Sequence, residues 1–345
     1  MPARDTTTRN RPSVEEVKRA VALAIRAPSI HNTQPWRWVF RPDGLALYAD
    51  RARQLAAIDP DGRGLLVSCG AALYLAQLGL ARQGWQTEVA RRPDPADPDL
   101  LALVTPTDWR PPDERTRVLA AAAERRHTER RPFRPDPVPA PLLDELRRLV
   151  EGEGVYAHLV ERPEERLDLA VVMSWADRLE TEDEAYREEL ARWVRPDAAA
   201  AREGIPPSAV PHVGAGEQRH TNVPLRDFEV GREGDQQMTA GVDEQAAWMV
   251  VFTPADDAVA RLQAGEAFTR FSVQAERMGL ASSAATQAID LPGVRDRLRV
   301  LMDWPDHPQM IFRIGWKPDG EPAPPTPRRP VEAVLTILEP TDPPG

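Results

Sequence analysis

Lysine is almost missing from this chain: of its 44 basic residues only Lys18 and Lys317 are not arginine. Acidic residues outnumber basic ones 54 to 44, and the formal charge of −10 gives no global attraction to nucleic acid or an anionic membrane. There is a single cysteine, Cys69, which excludes an intrachain disulfide and points to a reducing, cytoplasmic setting. Long hydrophobic runs are also scarce. The most apolar stretch, LLVSCGAALYLAQLGLA from Leu65 to Ala81, is shorter than a membrane span and carries Ser68 and Gln77, so it reads as a buried central helix. The N-terminal MPARDTTTRNRPS has no apolar core of a secretory signal.

Several signatures of known chemistry are absent as well. Gly214-Ala215-Gly216 has no third glycine and no preceding strand, so it makes no dinucleotide-binding turn, and there is no phosphate loop of the Walker type. The six histidines show neither HExxH nor a Cys/His ligand spacing, so no metal site is expected. No G-x-S-x-G elbow is present, and Cys69 within its apolar helix reads as an inert core thiol.

What is present organises into repeating units. Ser13-Val14-Glu15-Glu16 fits a capping box, and Val14, Val17, Val21 and Ile25 follow at helical spacing until Pro28. WRWVF and LALYA flank a Pro-Asp-Gly turn and predict a hairpin. A long helix is expected from about Gly62 to Gly84, then short strands at QTEVA and LLALVTP. The second half repeats the plan: a helix from Pro141 through Val150, strands at VYAHLV (155–160) and WMVVFTP (248–254), a long helix from Asp257 to Gly279, and a strand at QMIFRIGW. Laid over each other without gaps, the two long helices match Gly70 with Gly265, Ala72 with Ala267, Arg82 with Arg277 and Gly84 with Gly279. The shared order predicts an α+β protein of two tandem halves, residues 1–120 and 121–345, packed as an intrachain pseudo-dimer and therefore working as a monomer. Residues 180–245 break the pattern. They begin with one charged helix, ADRLETEDEAYREELARWV, and continue as a long Pro- and Gly-rich stretch of the kind that forms either a lid over a site or a disordered or purely structural excursion.

Two polar stretches stand out. ERRHTERRPFR (124–134) gathers Arg125, Arg126, Arg130, Arg131 and Arg134. One reading is a solvated linker paired with local glutamates; the other is a grip on a phosphorylated small molecule, with guanidinium forks and the Thr128 hydroxyl as donors. APSIHNTQPWRWVF places Ser29, His31, Asn32, Thr33 and Gln34 before Trp36 and Trp38. It is either a capped helix stop with core tryptophans, or a set of amide donors and acceptors for the edge of a flat heteroaromatic ring.

Together the two stretches resemble the nitroreductase superfamily. Its subunits carry R-x-S-x-R/K before the first helix, matched by Arg126-His127-Thr128-Glu129-Arg130, and APS-x-x-N-x-QPW after it, matched by Pro28 to Trp36. The order departs from ordinary members, because here the QPW segment lies in the first half and the arginine motif in the second. One composite site per chain is the implication. With LYADRARQLAAIDPDGRGLLVSCGAAL and TPRRP, the chain is similar to the Acg-type branch.

The resemblance implies an FMN-binding oxidoreductase in which the flavin takes a hydride at N5 from NAD(P)H and reduces a small-molecule acceptor, with no catalytic side chain required. By position, Arg126, His127, Thr128 and Arg130 would meet the phosphate and ring edge, and Ser29, Ile30, Asn32 and Gln34 the flavin from the other half. The turn after the second long helix falls at Thr286 and Gln287, without the family's usual Pro and Gly, and a C-terminal basic residue, Arg328 or Arg329, would reach the phosphate. The alternative is a protein that binds or sequesters FMN because residues 180–245 cover it.

Overall fold

A computed structural model describes residues 11–338 except 153, 213–222, 224, 227, 230–233, 235, 237–244 and 322–323. Much of the expected 180–245 insertion, including Gly214 to Gly216, therefore lies outside the described residues, as does the extreme N-terminus.

The expected capping box opens helix α1 (Val14–Ala24): Glu16 N–H donates to Ser13 Oγ, and Ser13 N–H donates to the Glu16 carboxylate. Its apolar face, Val17, Ala20, Val21 and Ala24, is fully buried. The hairpin follows as β1 (Trp36–Arg41) and β2 (Gly44–Ala49), with Trp36 opposite Ala49 and Arg41 opposite Gly44. Gly44 closes the turn at φ +150°, where an added Cβ would lie 2.5 Å from the Val104 carbonyl oxygen, so only glycine fits.

The rest of the first half is α2 (Arg63–Arg82), β3 (Trp85–Arg91) and β4 (Leu100–Trp109), then α3 (Glu114–Arg125), which Asp113 caps by accepting from Thr116 N–H. The second half runs α4 (Ala140–Val150), β5 (Tyr156–Leu159), α5 (Pro163–Glu182), α6 (Glu184–Trp193) and α7 (Ala198–Ala201). It continues with β6 (Ala247–Thr253), α8 (Ala258–Arg277), β7 (Leu280–Ala284), α9 (Gln287–Asp290), α10 (Pro292–Leu301) and β8 (His307–Trp316). A last strand, β9 (Leu335–Ile337), closes the described chain.

These strands make two sheets. One has the order β3-β4-β2-β1-β9 and the other β5-β6-β8-β7. Helix, two strands with a long helix between the hairpin and the next pair: the first half is α1-β1-β2-α2-β3-β4, and the second is α4-β5-β6-α8-β7-β8 once α5 to α7 and α9 to α10 are set aside as insertions. Under that correspondence the sheet orders agree strand for strand. The long helices cross at their shared glycine. A Cβ on Gly70 would meet the Leu262 carbonyl oxygen at 2.0 Å, and one on Gly265 would meet that of Val67 at the same distance. Helix α2 is long and apolar enough to cross a membrane by composition, but 78% of its apolar window is buried between its neighbours, as an all-round hydrophobic core helix requires.

Three elements differ from sequence expectation. The single charged helix over Ala176 to Val194 is two helices, because Asp183 ends α5 and caps α6 by accepting from Tyr186 N–H. Helix α5 also starts earlier, at Pro163, with Glu165 reaching back to the Arg162 N–H. Finally, β9 pairs in parallel with β1, Trp38 opposite Leu335, so the C-terminal segment extends the first sheet.

Candidate functional site

Among the described residues, both halves and the insertion line a cavity of about 1370 Å³, its open mouth included. The first wall is the polar turn after α1. The chain there folds into a tight 3₁₀ turn, Ile30–Asn32, where His31 (φ 43°) and Asn32 (φ 57°), and Gln34 (φ 51°) just after it, take the left-handed conformation. Three non-glycine residues in that region cost energy, and side-chain bonds hold them there. Ser29 Oγ accepts from Gln34 N–H, and Ile30 N–H donates to Ser68 Oγ on α2. Ser29, Ile30 and His31 thereby line the cavity, together with Arg63 and Gly64 at the start of α2.

The second wall comes from the arginine motif. Thr128 bridges to Ser282 beside β7, with Glu129 N–H donating to the Ser282 carbonyl. Behind it, Glu129 is fully buried and takes two side-chain bonds from Arg131, at 2.9 and 2.7 Å. Burial would raise its pKa, but the bonds from Arg131 and His127 outweigh that and hold it at about 2. This anchor leaves Thr128 and Arg130 on the cavity, where Arg130 donates to the Ala209 carbonyl and lies 5.1 Å from the Phe228 ring. Burial lowers the Arg130 pKa to about 10, so its charge persists at neutral pH. Thr286 and Gln287, entering α9, complete this side with Asp290.

The insertion forms the third wall through Ile205, Val210, Leu225, Arg226 and Phe228. It is tied down on both sides. Tyr186, Leu190, Val194, Ile205 and Val210 pack with Leu55 and Ile58 of the first half. The Glu189 carboxylate accepts the N–H groups of Ala56, Ala57 and Ile58. On the other side Arg226 donates to Glu180 (2.7 Å) and Asp290 (2.9 Å), while Thr286 Oγ1 also donates to Asp290. Burial opposes the Arg226 charge, but the two carboxylates dominate and raise its pKa well above the usual value. His31 sits in this corner, 4% exposed and edge-on to Phe228 at 5.9 Å. Burial, then Arg226 and Arg130, push its pKa well down, so the imidazole is neutral at neutral pH.

Of the twelve expected site residues, Ser29, Ile30, Thr128, Arg130, Thr286 and Gln287 line the cavity. Asn32 and Gln34 do not. Asn32 Nδ2 donates to the Gly204 and Pro327 carbonyls, and its Oδ1 accepts from Arg328. Gln34 donates to the Arg202 carbonyl and accepts from Arg329 N–H. Their amides join the insertion and the C-terminal segment to the turn. His127 lies 3.4 Å from Glu129, and Arg329 faces Asp50 and the Ala333 carbonyl; neither lines the cavity.

Arg126 and Arg328 sit behind the first wall with Arg26. Arg126 is 7% exposed and donates to the Arg26 carbonyl; Arg328 donates to the carbonyls of Arg26 and Ala27. Neither guanidinium has a carboxylate partner among the described residues, and the Nε of each is buried without a hydrogen bond. Burial, then repulsion from Arg26, lowers Arg126 to about 10; burial, then repulsion from Arg126 and Arg26, lowers Arg328 to about 9. Arg126 is buried and Arg328 half-buried, and cations so placed without a carboxylate partner are costly unless an anion sits with them.

Sequence reasoning missed Arg63, Arg226, Phe228 and Asp290 as lining residues. Arg63 opens the expected helix α2, while the positions of Arg226, Phe228 and Asp290 follow from the folded insertion and from α9, for which the sequence carries no periodic signal. His31 was within the singled-out stretch but was not assigned. Cys69 is fully buried and donates to the Pro35 carbonyl; burial pushes its thiol above the ordinary range, as expected of an inert core cysteine.

No family model matches the chain. Individual proteins do. It is 36% identical over 326 residues to a Mycobacterium tuberculosis protein named "Putative NAD(P)H nitroreductase Rv3131", covering 94% of this chain and 92% of that one. It is 34% identical over 329 residues to "Putative NAD(P)H nitroreductase acg" of the same organism, covering 94% and 96%. Among solved structures, one described as "a putative nitroreductase" from Anabaena variabilis overlaps 90% of each chain at 9% identity and a TM-score of 0.45. An FMN-bound nitroreductase from Bacteroides fragilis overlaps 64% of this chain and 98% of that one at 14% identity and a TM-score of 0.41. Near-full-length identity above one third settles the family: the chain belongs to the nitroreductase superfamily, in its Acg-type branch.

Proposed function

We propose that the cavity holds FMN and that the chain is an FMN-dependent oxidoreductase, drawing on NAD(P)H and acting on a small-molecule acceptor. The observation that carries this reading is the pair Arg126 and Arg328, the Nε of each buried without a hydrogen bond and neither ion-paired to a carboxylate among the described residues, behind the turn that gives one wall to a cavity of hydroxyl, amide and apolar groups. Those residues fit the group. The arginine forks suit a phosphate. Ser29, Thr128, Thr286 and Gln287 offer donors and acceptors for a polar ring edge, while Val67, Phe268 and Met310 supply an apolar face. In this reading the two tandem halves form an internal pseudo-dimer, with one jaw of the site on each.

When bound, the flavin supplies hydride acceptance and delivery. The chain's own residues bind and orient. Arg130 keeps a positive charge in the cavity at neutral pH and can stabilise negative charge that develops on a bound ring or acceptor. His31 stays neutral and can donate or accept one hydrogen bond without adding charge.

One observation favours a second reading, in which the protein sequesters FMN without general turnover: six residues of the insertion wall the cavity, and the insertion is bonded to both halves. Anaerobic addition of NADH or NADPH to the FMN-loaded protein separates the two. Prompt bleaching of the flavin absorbance is expected of the oxidoreductase, and an unchanged spectrum over hours would favour sequestration. A purified chain that neither contains nor takes up FMN would overturn both.

A further inference from the structure

Helix α5 is apolar on two faces. Its inner face, Leu169, Val172, Met173 and Ala176, is buried in the core of the second half. On the opposite face Leu167, Val171 and Trp175 recur every four residues and are 65%, 56% and 38% exposed. Neighbouring α10 continues the surface: Arg297 lies 5.9 Å from the Trp175 ring, and Val300 and Leu301, one turn further, are exposed as well. A surface helix normally gives its outer face to polar residues, and a grouped apolar stripe marks a docking surface.

The charges around the stripe name the occupant. Glu164 lies one turn before Leu167, and Arg178 lies at the same distance beyond Trp175, 73% exposed at its side chain. The sequence from Glu164 to Arg178 is thus self-complementary about Val171. We propose that two copies of the chain associate through this face, their α5 helices antiparallel, with the two-fold axis at Val171. In that register each Leu167 meets the other copy's Trp175, and each Glu164 meets the other copy's Arg178. A parallel pairing would set Glu164 against Glu164 and Arg178 against Arg178, so like charges exclude it. Antiparallel pairing is isologous and closes at two copies. Arg178 already holds Glu182 through Nε at 2.9 Å, which leaves the terminal nitrogens of its fork for the incoming Glu164.

The test is the solution mass of the full chain by light scattering, with variants at the axis and at its flanks. The mass of two 38.4 kDa chains is expected for the unaltered protein. Val171→Arg places two cations at the axis and should weaken association by about tenfold or more, the scale of losing a central interface anchor. Glu164→Arg should weaken it too, and Glu164→Arg with Arg178→Glu should restore it, which a merely damaged helix would not do. Val171→Cys should form an interchain disulfide with its own copy under mild oxidation, since Cys69 is fully buried and cannot compete. A single-chain mass up to about 100 μM, above the range of ordinary specific interfaces, overturns the proposal. So does a dimer indifferent to Val171→Arg, or a Val171→Cys chain that neither cross-links nor accepts a thiol reagent, which would mean that another segment of the chain covers the face.

Discussion

Gly70 and Gly265 hold equivalent places in two crossing helices, each pressed against the other helix's main chain at a distance that admits no side chain. Backbone cannot rotate away as a side chain can, so Gly70→Ala must push α2 and α8 apart. A loss of about 3 kcal/mol in denaturant unfolding is expected, at the upper end for overpacking. Gly265→Ala should cost the same, and the double variant less than the sum, because the first separation relieves part of the second clash. A Gly70→Ala chain within 1 kcal/mol of the original would mean that the crossing tolerates separation.

The Arg226 network gives a second prediction. Arg226→Met leaves Glu180 and Asp290 buried without their cation, and a loss of about 3–5 kcal/mol is expected. The segment between α7 and β6 should then be cut faster by protease, because one of its two anchors has gone. Neutralising the whole network, Arg226→Met with Glu180→Gln and Asp290→Asn, should recover most of the stability. If the triple variant is as unstable as the single one, the charges are not what holds the insertion.

For the proposed flavin site, Arg126→Ala should weaken FMN binding by about 2–4 kcal/mol, the scale of a lost charge-assisted phosphate contact. Arg126→Lys should recover only part of it, since a lysine ammonium cannot reproduce the planar fork. Titration by flavin fluorescence quenching reads both. Unchanged affinity in the alanine variant would remove Arg126 from the site.

Glu129 makes the arginine motif sensitive to acid. Its pKa is about 2 in the folded chain against an ordinary 4.5, so the folded state binds fewer protons than the unfolded one between those values. Stability therefore rises with pH across that window. The contribution, about 3 kcal/mol from the size of the shift, is complete above pH 4.5 and lost as pH falls through 2. The stability difference between the original chain and Glu129→Gln should shrink by that amount over the same window. A difference independent of pH would show that Glu129 acts through shape alone.

Local signals made most of the fold legible. Ser13 and Glu16 cap α1 through neighbours three residues apart, and the Pro-Asp-Gly turn sets the β1–β2 register within six residues. The glycine match between α2 and α8 was visible because close helix crossing demands glycine at both places. Three features were hidden for one physical reason, distance along the chain. Asn32 looked like a ligand-facing amide, yet it bonds Gly204, 172 residues away, and Arg328, 296 away. The three-residue β9 is too short to carry a pattern and exists through β1. The cavity wall around Arg226 depends on Glu180 and Asp290, 46 and 64 residues distant, and nothing beside Arg226 announces either.

The bond from Arg329 N–H to Gln34, 295 residues apart, also dictates an order of events during synthesis. At typical elongation rates of roughly 5–20 residues per second, the turn of the first wall waits about 15–60 s for the segment that completes it. Through that interval the nascent first half has two open edges: β1 lacks β9, and Asn32 and Gln34 lack their C-terminal partners Arg328 and Arg329. A chaperone that shields an unpaired strand edge would find its longest opportunity here. A C-terminal truncation before Thr326 would make the exposure permanent, leaving a chain with both long helices in place and a site that never closes.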